Sequence, residues 1–380
     1  MREVVVVDAV RTPLGKGHPE KGIFKDVRAD DLGVVCVRAL LARRRFDPAT
    51  IEDVIFGCAN QQGEQGFNIA RMIGLLAGLP IEVAGTTVDR QCGSSLQAVN
   101  FGTYSIATGN ADVVIAGGVE HMGHIPMGKG ADPNRKLFDR FPPAMMFMGQ
   151  TAEILAERKG ISREDSDRFA LRSNQRAVAA HEEGRFKDEL VPVALPAGGT
   201  ADRDQGPRGD TTLEKLASLV PSFKEGGQVT AGNSSQISDG AAAVLLMTRE
   251  RAKELGLPVL ATIRATAVAG VDPEIMGWGP VPASQKALKR AGLRIDQMDL
   301  VEINEAFACQ VLACARELKI PEEKLNVNGG AVALGHPLGC SGARLTATLL
   351  HELRRRQGRF GLATMCIGFG QGIATVFERE

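Results

Sequence analysis

Among the side chains here that could break bonds, Cys92 has the most telling surroundings. It stands in Thr87-Val88-Asp89-Arg90-Gln91-Cys92-Gly93-Ser94-Ser95-Leu96, which reads as strand, tight turn and first turn of a buried helix. Free N–H groups and the positive end of a helix dipole favour a thiolate at such a turn. Gly93, Ser94 and Ser95 keep bulk away from the sulfur. Three further motifs carry reactive groups: Asn304-Glu305-Ala306-Phe307-Ala308, Gly335-His336-Pro337-Leu338-Gly339-Cys340-Ser341-Gly342 and Cys366-Ile367-Gly368-Phe369-Gly370-Gln371-Gly372. Taken singly, Cys92 and Cys366 also fit core packing, Asn304 a turn and His336 a satisfied loop histidine. Their joint presence is what carries meaning.

Two other patterns have a plainer explanation. Gly368-x-Gly370-x-Gly372 superficially matches a dinucleotide fingerprint, but that motif must open a helix and precede an acidic strand end. Here Ile373 to Phe377 reads as a strand, so the glycines predict a hairpin turn. His121-x-x-His124 lacks a third ligand cluster, which predicts surface or loop histidines and no metal site. The seven cysteines are scattered without a C-x-x-C pair, so neither a disulfide framework nor a zinc knuckle is indicated.

The elements that must position these groups form a repeated pattern. Val4 to Val7 is a buried strand, and Asp31 to Ala42 a helix with Leu32, Val35, Cys36 and Leu40 near one face. Ile51 to Gly57 is a turn into a strand, and Met298 to Asn304 aligns with it without gaps after a helix over Ser284 to Ala291. The strand from Ala111 to Gly118 resembles Gly361 to Gly368, so an αβ unit is duplicated. Duplication predicts two half-domains, each a mixed sheet covered by helices, with reactive residues at matching strand ends. The first half occupies 1–119, completed by about 239–256, and the second 257–380. Between them, 120–248 reads as an inserted loop domain, with amphipathic helices over Thr151 to Lys159 and Ser162 to Glu183. Ser162 caps the second helix, and Asp202 to Asp210 is polar and turn-rich.

Composition sets the outer bounds. A chain of 380 residues exceeds the usual size of one core. Its 45 basic and 45 acidic side chains cancel, and aromatics are only 4%, so neither a global field nor stacking platforms point to nucleic acid. No stretch approaches a membrane span, and Met1 leads straight into a strand pattern. A reducing, cytoplasmic setting is expected.

Together, the cysteine turn, N-E-A-F, G-H-P and C-x-G motifs resemble the thiolase family across essentially the whole chain. The resemblance implies a duplicated α/β/α/β/α layered fold of two similar mixed-sheet half-domains with an inserted loop domain. It implies that Cys92 attacks a 3-keto carbon, His336 removes its proton, and Cys366 serves as acid and then base. By the same analogy His336 and a water held by Asn304 serve the enolate, while the N–H groups of Cys92 and Gly368 serve the tetrahedral oxyanion.

Gly-His-Pro-Leu-Gly-Cys, Val119-Glu120-His121-Met122-Gly123-His124 and Ser234-Ser235-Gln236-Ile237-Ser238-Asp239-Gly240 look more like degradative 3-ketoacyl-CoA thiolases than the acetoacetyl-CoA branch. That branch supplies the alternative activity. Its histidine at a ligand-contacting place is Phe147 here; Met276 and Leu338 are candidate pocket walls. Phe369 stands where many relatives have glycine. Arg208 is assigned to the nucleotide end of coenzyme A and Ser235 to its pantetheine arm. Coenzyme A is thus a co-substrate alongside 3-ketoacyl-CoA and acetyl-CoA, with no permanently bound cofactor. The resemblance further implies a homodimer or homotetramer, with a hydratase–dehydrogenase subunit as a partner in the degradative branch. Asn304 and Cys366 argue against a decarboxylating ketoacyl synthase, whose arrangement is Cys-His-His. Retention of Cys92, His336 and Cys366 argues against a non-catalytic lipid carrier.

Overall fold

A computed structural model describes residues 1–380. The strands are β1 (Val4–Arg11), β2 (Gly15–Lys16), β3 (Asp53–Gly57), β4 (Ala84–Val88), β5 (Val113–His121), β6 (Val193–Ala194), β7 (Thr200–Ala201), β8 (Ser238–Thr248), β9 (Ala261–Gly270), β10 (Leu300–Ile303), β11 (Phe360–Ile367) and β12 (Gln371–Glu378). The α-helices are α1 (Ala29–Arg44), α2 (Ile69–Ala77), α3 (Ser94–Thr108), α4 (Met148–Lys159), α5 (Arg163–Glu182), α6 (Leu213–Ala217), α7 (Arg249–Glu254), α8 (Pro280–Ala291), α9 (Ala308–Leu318), α10 (Ala331–Leu334) and α11 (Ser341–Arg356).

Both halves that the duplication predicts are present. The first is ordered β1-β8-β5-β3-β4 and the second β9-β12-β11-β10. In each, the parallel pair β3/β5 or β10/β11 is flanked by an antiparallel strand. They are not two separate sheets: a short antiparallel pairing of Val5 with Thr262 and Val6 with Ala261 makes one continuous ten-stranded sheet. Alternation along β1 explains the layering. Val4 and Val6 enter the central core with Leu96, Val99, Leu345 and Leu349, whereas Val5 and Val7 enter the outer core with Leu32 and Leu40 of α1. The buried helices α3 and α11 pack together between the half-sheets. Their approach is close enough that a Cβ on Gly342 would overlap the backbone of Leu96. Full burial of Leu96 alone stabilises this junction by about 2 kcal/mol.

Local signals explain where elements begin and end. α1 extends past the predicted Asp31–Ala42 because Asp30 and Asp31 sit in its first turn and Arg43 and Arg44 in its last, each favourable to the helix dipole. Pro280, suited to a first helical position, starts α8 ahead of the predicted Ser284. Ser162 accepts from Asp165 N and caps α5 as expected.

Between β5 and β8, residues 122–237 carry α4, α5, α6 and the β6–β7 hairpin. This segment is tied to the core by Arg11, fully buried, which donates to Asp204 (2.7 and 2.9 Å) and Glu189 (2.5 Å). His181 also contacts Asp204 at 2.8 Å. No helix is long and apolar enough to cross a membrane.

Candidate functional site

The Cys92 turn is built from its own residues. Gln91 adopts a left-handed φ of 47°, reversing the chain between β4 and α3. Asp89 Oδ1 accepts from Gln91 N (2.7 Å), Ser94 Oγ accepts from Arg90 N (2.9 Å), and the same hydroxyl donates to Gln91 O (2.6 Å). Cys92 is half-buried at the tip. Backbone N–H groups of Gly368 and of Cys92 itself reach its sulfur, which places Gly368 where the sequence expects it. The expected resting thiolate is not what the geometry gives. Burial pushes the Cys92 thiol up to about 12, and the two N–H groups only partly oppose this.

Cys366 lies near the end of β11, fully buried, with its thiol raised by burial first and by neighbouring Cys92 second. The predicted hairpin follows: Gly368-Phe369-Gly370 joins β11 to β12, with φ of 64° at Phe369 and 77° at Gly370. A left-handed φ suits glycine, so Phe369 holds this turn against its own backbone preference.

Asn304 continues the ladder beyond β10, its N–H donating to Thr364 O at 3.0 Å, two residues before Cys366. Its Nδ2 lies 3.2 Å from His336 Nε2, while its Oδ1 is buried without a protein partner. On the other side of the ring, Nδ1 lies 2.6 Å from Ser341 Oγ, which donates to Pro337 O at 2.9 Å. Ser341 must therefore accept the Nδ1 proton, leaving the Nε2 lone pair as an acceptor that faces Asn304 Nδ2. Burial first, and the charge of Arg344 second, push His336 down to about 3, so the ring is neutral. The His336 loop rests on the Cys92 helix through Ser95 Oγ, which accepts from Ala343 N at 3.0 Å.

The remaining candidates fall around this centre. Met276 is buried in one cluster with Cys366 and Phe307, against which Met148 packs, and Leu338 is buried in the His336 loop. Phe147 is 58% exposed, and it is the next residue, Met148, whose sulfur comes nearest Gly368. The reason is local, because Phe147 is the N-cap at which the chain turns from a short helix into α4. Arg208, exposed, borders a cavity of about 130 Å³ with Asn174, Lys215, Gln236 and Val332. Gln236 links that cavity to the centre, since its carbonyl accepts from His336 N at 3.1 Å. Ser235 is half-buried beside it and donates its N–H to Ala306 O at 3.0 Å.

His121 and His124 are not surface histidines as a pair. His121 is fully buried, stacks on His124 at 3.7 Å between centroids, and contacts Phe24 O at 3.0 Å. Burial lowers the His121 pKa. Ser341, Gln236, Met148 and Arg344 escaped sequence reasoning. Ser341 and Gln236 lie within recognised motifs, but only tertiary contact reveals what they hold.

Comparison with known proteins gives a consistent result. The family described as thiolase, N-terminal domain, matches residues 4–250, and thiolase, C-terminal domain, matches residues 257–379. The 3-ketoacyl-CoA thiolase of Vibrio parahaemolyticus serotype O3:K6 is 54% identical over 387 residues, spanning 100% of this chain and 98% of that protein. A crystal structure of human mitochondrial 3-ketoacyl-CoA thiolase in complex with CoA aligns with a TM-score of 0.92 at 43% identity, covering 100% and 98% of the two chains. Bacillus anthracis acetyl-CoA acetyltransferase aligns with a TM-score of 0.92 at 41% identity, covering 100% and 99%.

Proposed function

This chain belongs to the thiolase family, and from that premise we propose that it cleaves 3-ketoacyl-CoA with coenzyme A, yielding acetyl-CoA and a shortened acyl-CoA, in fatty-acid β-oxidation. The observation that carries the mechanism is that Cys92, Cys366 and Gly368 meet at one point, while His336 and Asn304 meet on elements bonded to it: Asn304 N donates to Thr364 O on the Cys366 strand, and Ala343 N donates to Ser95 Oγ on the Cys92 helix. Cys92 sulfur attacks the 3-keto carbon as its proton passes to His336 Nε2. The bond between C2 and C3 then breaks, its electrons forming the acetyl-CoA enolate, and the Cys366 thiol protonates C2. A neutral thiol is the form this step requires, in keeping with the raised pKa of Cys366.

In the second half-reaction the Cys366 thiolate takes the proton of coenzyme A, whose sulfur attacks the acyl-Cys92 thioester. His336 returns its proton to the Cys92 sulfur as that sulfur leaves. One thioester replaces another, so both directions are accessible. The N–H groups of Cys92 and Gly368 face the acyl oxyanion; His336, protonated once it has taken the Cys92 proton, and a water donating to the otherwise unpaired Asn304 Oδ1 serve the enolate. Coenzyme A is a consumed co-substrate, lying along Arg208 and Ser235 with 122–237 as cover. Met276, Leu338 and Met148 wall the acyl site.

The protein works in the cytoplasm as a homodimer or homotetramer, with a hydratase–dehydrogenase subunit as its partner in β-oxidation. Support for self-association lies at the free edge of β4 and the adjoining apolar side chains Phe67 (94% exposed), Met72, Leu76 and Ile81. The similarity to an acetyl-CoA acetyltransferase keeps acetoacetyl-CoA as a second substrate reading.

Mass spectrometry after exposure to acetoacetyl-CoA tests the core of this. An acetyl group should reside on Cys92; Cys92→Ala should lose roughly a thousandfold or more in turnover, while Cys366→Ala should load the acyl group and then stall. Acylation elsewhere, or full activity in either variant, would refute the assignment.

A further inference from the structure

We propose that Glu120 and Glu305 are positioning residues: two buried carboxylates that hold the His336 loop at its two ends and thereby set where the imidazole stands. The inference deepens the thiolase reading and rests on His336 being the base. Asn328–Cys340 is a long crossover whose only regular element is the single turn α10. Ahead of the imidazole, Glu305 Oε2 accepts from Val332 N at 3.1 Å; behind it, Glu120 Oε2 accepts from Gly339 N at 2.8 Å.

Each carboxylate is anchored elsewhere by further donors. Glu120 accepts from Ala59 N (2.8 Å), Asn60 N (3.0 Å) and Gln65 Nε2 (2.9 Å), all in the first half. Glu305 accepts from Ser173 Oγ of α5 (2.6 Å) and Asn326 Nδ2 (2.9 Å). Every partner is a donor, which an anionic acceptor satisfies and an amide does not. Such donors also offset the cost of burying the charge. The two anchors draw on different parts of the molecule: Glu120 fixes the loop to the Cys92 half, and Glu305 fixes it to the insertion and β10. A base displaced by an ångström costs on the order of a hundredfold, so these bonds bear on rate and not only on folding.

Glu120→Gln and Glu305→Gln in the full-length chain test this. Each should lower kcat for acetoacetyl-CoA thiolysis by about tenfold or more, with KM for coenzyme A changed by less than about twofold. Iodoacetamide should alkylate Cys92 more slowly in proportion, because its proton is no longer well received. Amide hydrogen exchange on the parent protein supplies a reading independent of how the variants fold: Val332 and Gly339 should be among the most protected N–H groups of the loop. Folded variants with kcat within about twofold of the parent, or a parent in which those two amides exchange like exposed ones, would overturn the proposal. Absence of acyl-Cys92 in the parent would instead defeat the thiolase reading, leaving the exchange result standing.

Discussion

Between β4 and α3 the chain passes from strand to helix in Asp89–Gly93, whereas the equivalent passage into α11 takes Asn328–Cys340. The equivalence follows from pairing: β4 runs parallel to β3, and Leu325 makes a parallel bridge to Val301 of β10. The short passage is secured by Asp89, its first residue, and Ser94, the residue that follows it. The long one is secured by Glu120, Ser173, Gln236, Ser238 and Glu305, gathered from four distant stretches. A nucleophile at a helix start can be presented by local geometry alone. A base that must serve both a thiol and an enolate oxygen needs a longer arm, and the arm needs outside support.

The sharpest way to break this contrast is to remove a remote contact to the base while sparing the Cys92 turn. Asn304→Ala takes away the Nδ2 group 3.2 Å from His336 and one member of the enolate-stabilising pair. Turnover should fall about a hundredfold, while Cys92 still accepts an acyl group from acetyl-CoA. Comparing kcat with the extent of Cys92 acylation checks both statements. Equal loss of acylation and turnover would mean that Asn304 serves the whole site and not the enolate.

The two regions also differed in how far they could be read from sequence. The turn around Cys92 was legible because glycine, small hydroxyls and the start of an apolar helix face follow one another in one continuous stretch. The hairpin at Gly368-Phe369-Gly370 was legible for the same reason, as were the duplicated strands and the cap at Ser162. What stayed hidden depended on distance along the chain or on solvation. The joining of the half-sheets rests on two residue pairs, Val5–Thr262 and Val6–Ala261. Dipole reasoning favoured a Cys92 thiolate, yet burial outweighs two N–H groups. Phe147 and Met148 are adjacent, and only the turn into α4 decides which one faces Gly368.

A smaller effect should come from loosening the short passage. Ser94→Ala removes the bonds to Arg90 N and Gln91 O, worth about 1–2 kcal/mol of stability together. Thermal melting measures that loss. Because Cys92 rides on the same turn, kcat should fall about tenfold as well. If stability drops and kcat does not, the turn is held by its backbone and Ser94 is dispensable to the chemistry.

The subtlest difference is electrostatic, and it separates the two regions by pH. Arg344, three residues beyond Ser341 on α11, and Glu302, two before Asn304 on β10, are both buried, and the charge of Arg344 reaches His336. Their Nη1 and Oε2 stand 3.6 Å apart, and none of the three guanidinium nitrogens makes a hydrogen bond within the protein. After burial, the Arg344 charge is the main influence keeping His336 unprotonated. Glu302 is itself pushed up to about 8 by burial against the pull of Arg344, so its charge compensates incompletely. Asn304 and Ser341, which touch the ring, are neutral, and the Cys92 and Cys366 thiols nearby are un-ionised at rest. Replacing the pair with neutral groups, Arg344→Met with Glu302→Gln, therefore raises the His336 pKa toward its ordinary value. Protonation then disables the base at a higher pH, and the acid limb of the kcat profile should move upward. No comparable influence of Arg344 reaches Cys92, whose acidity answers to burial, Gly368, Glu120 and Asp89. The pH dependence of Cys92 alkylation on its basic side should consequently stay in place. An acid limb that is unmoved or moves downward would remove Arg344 from the control of the base.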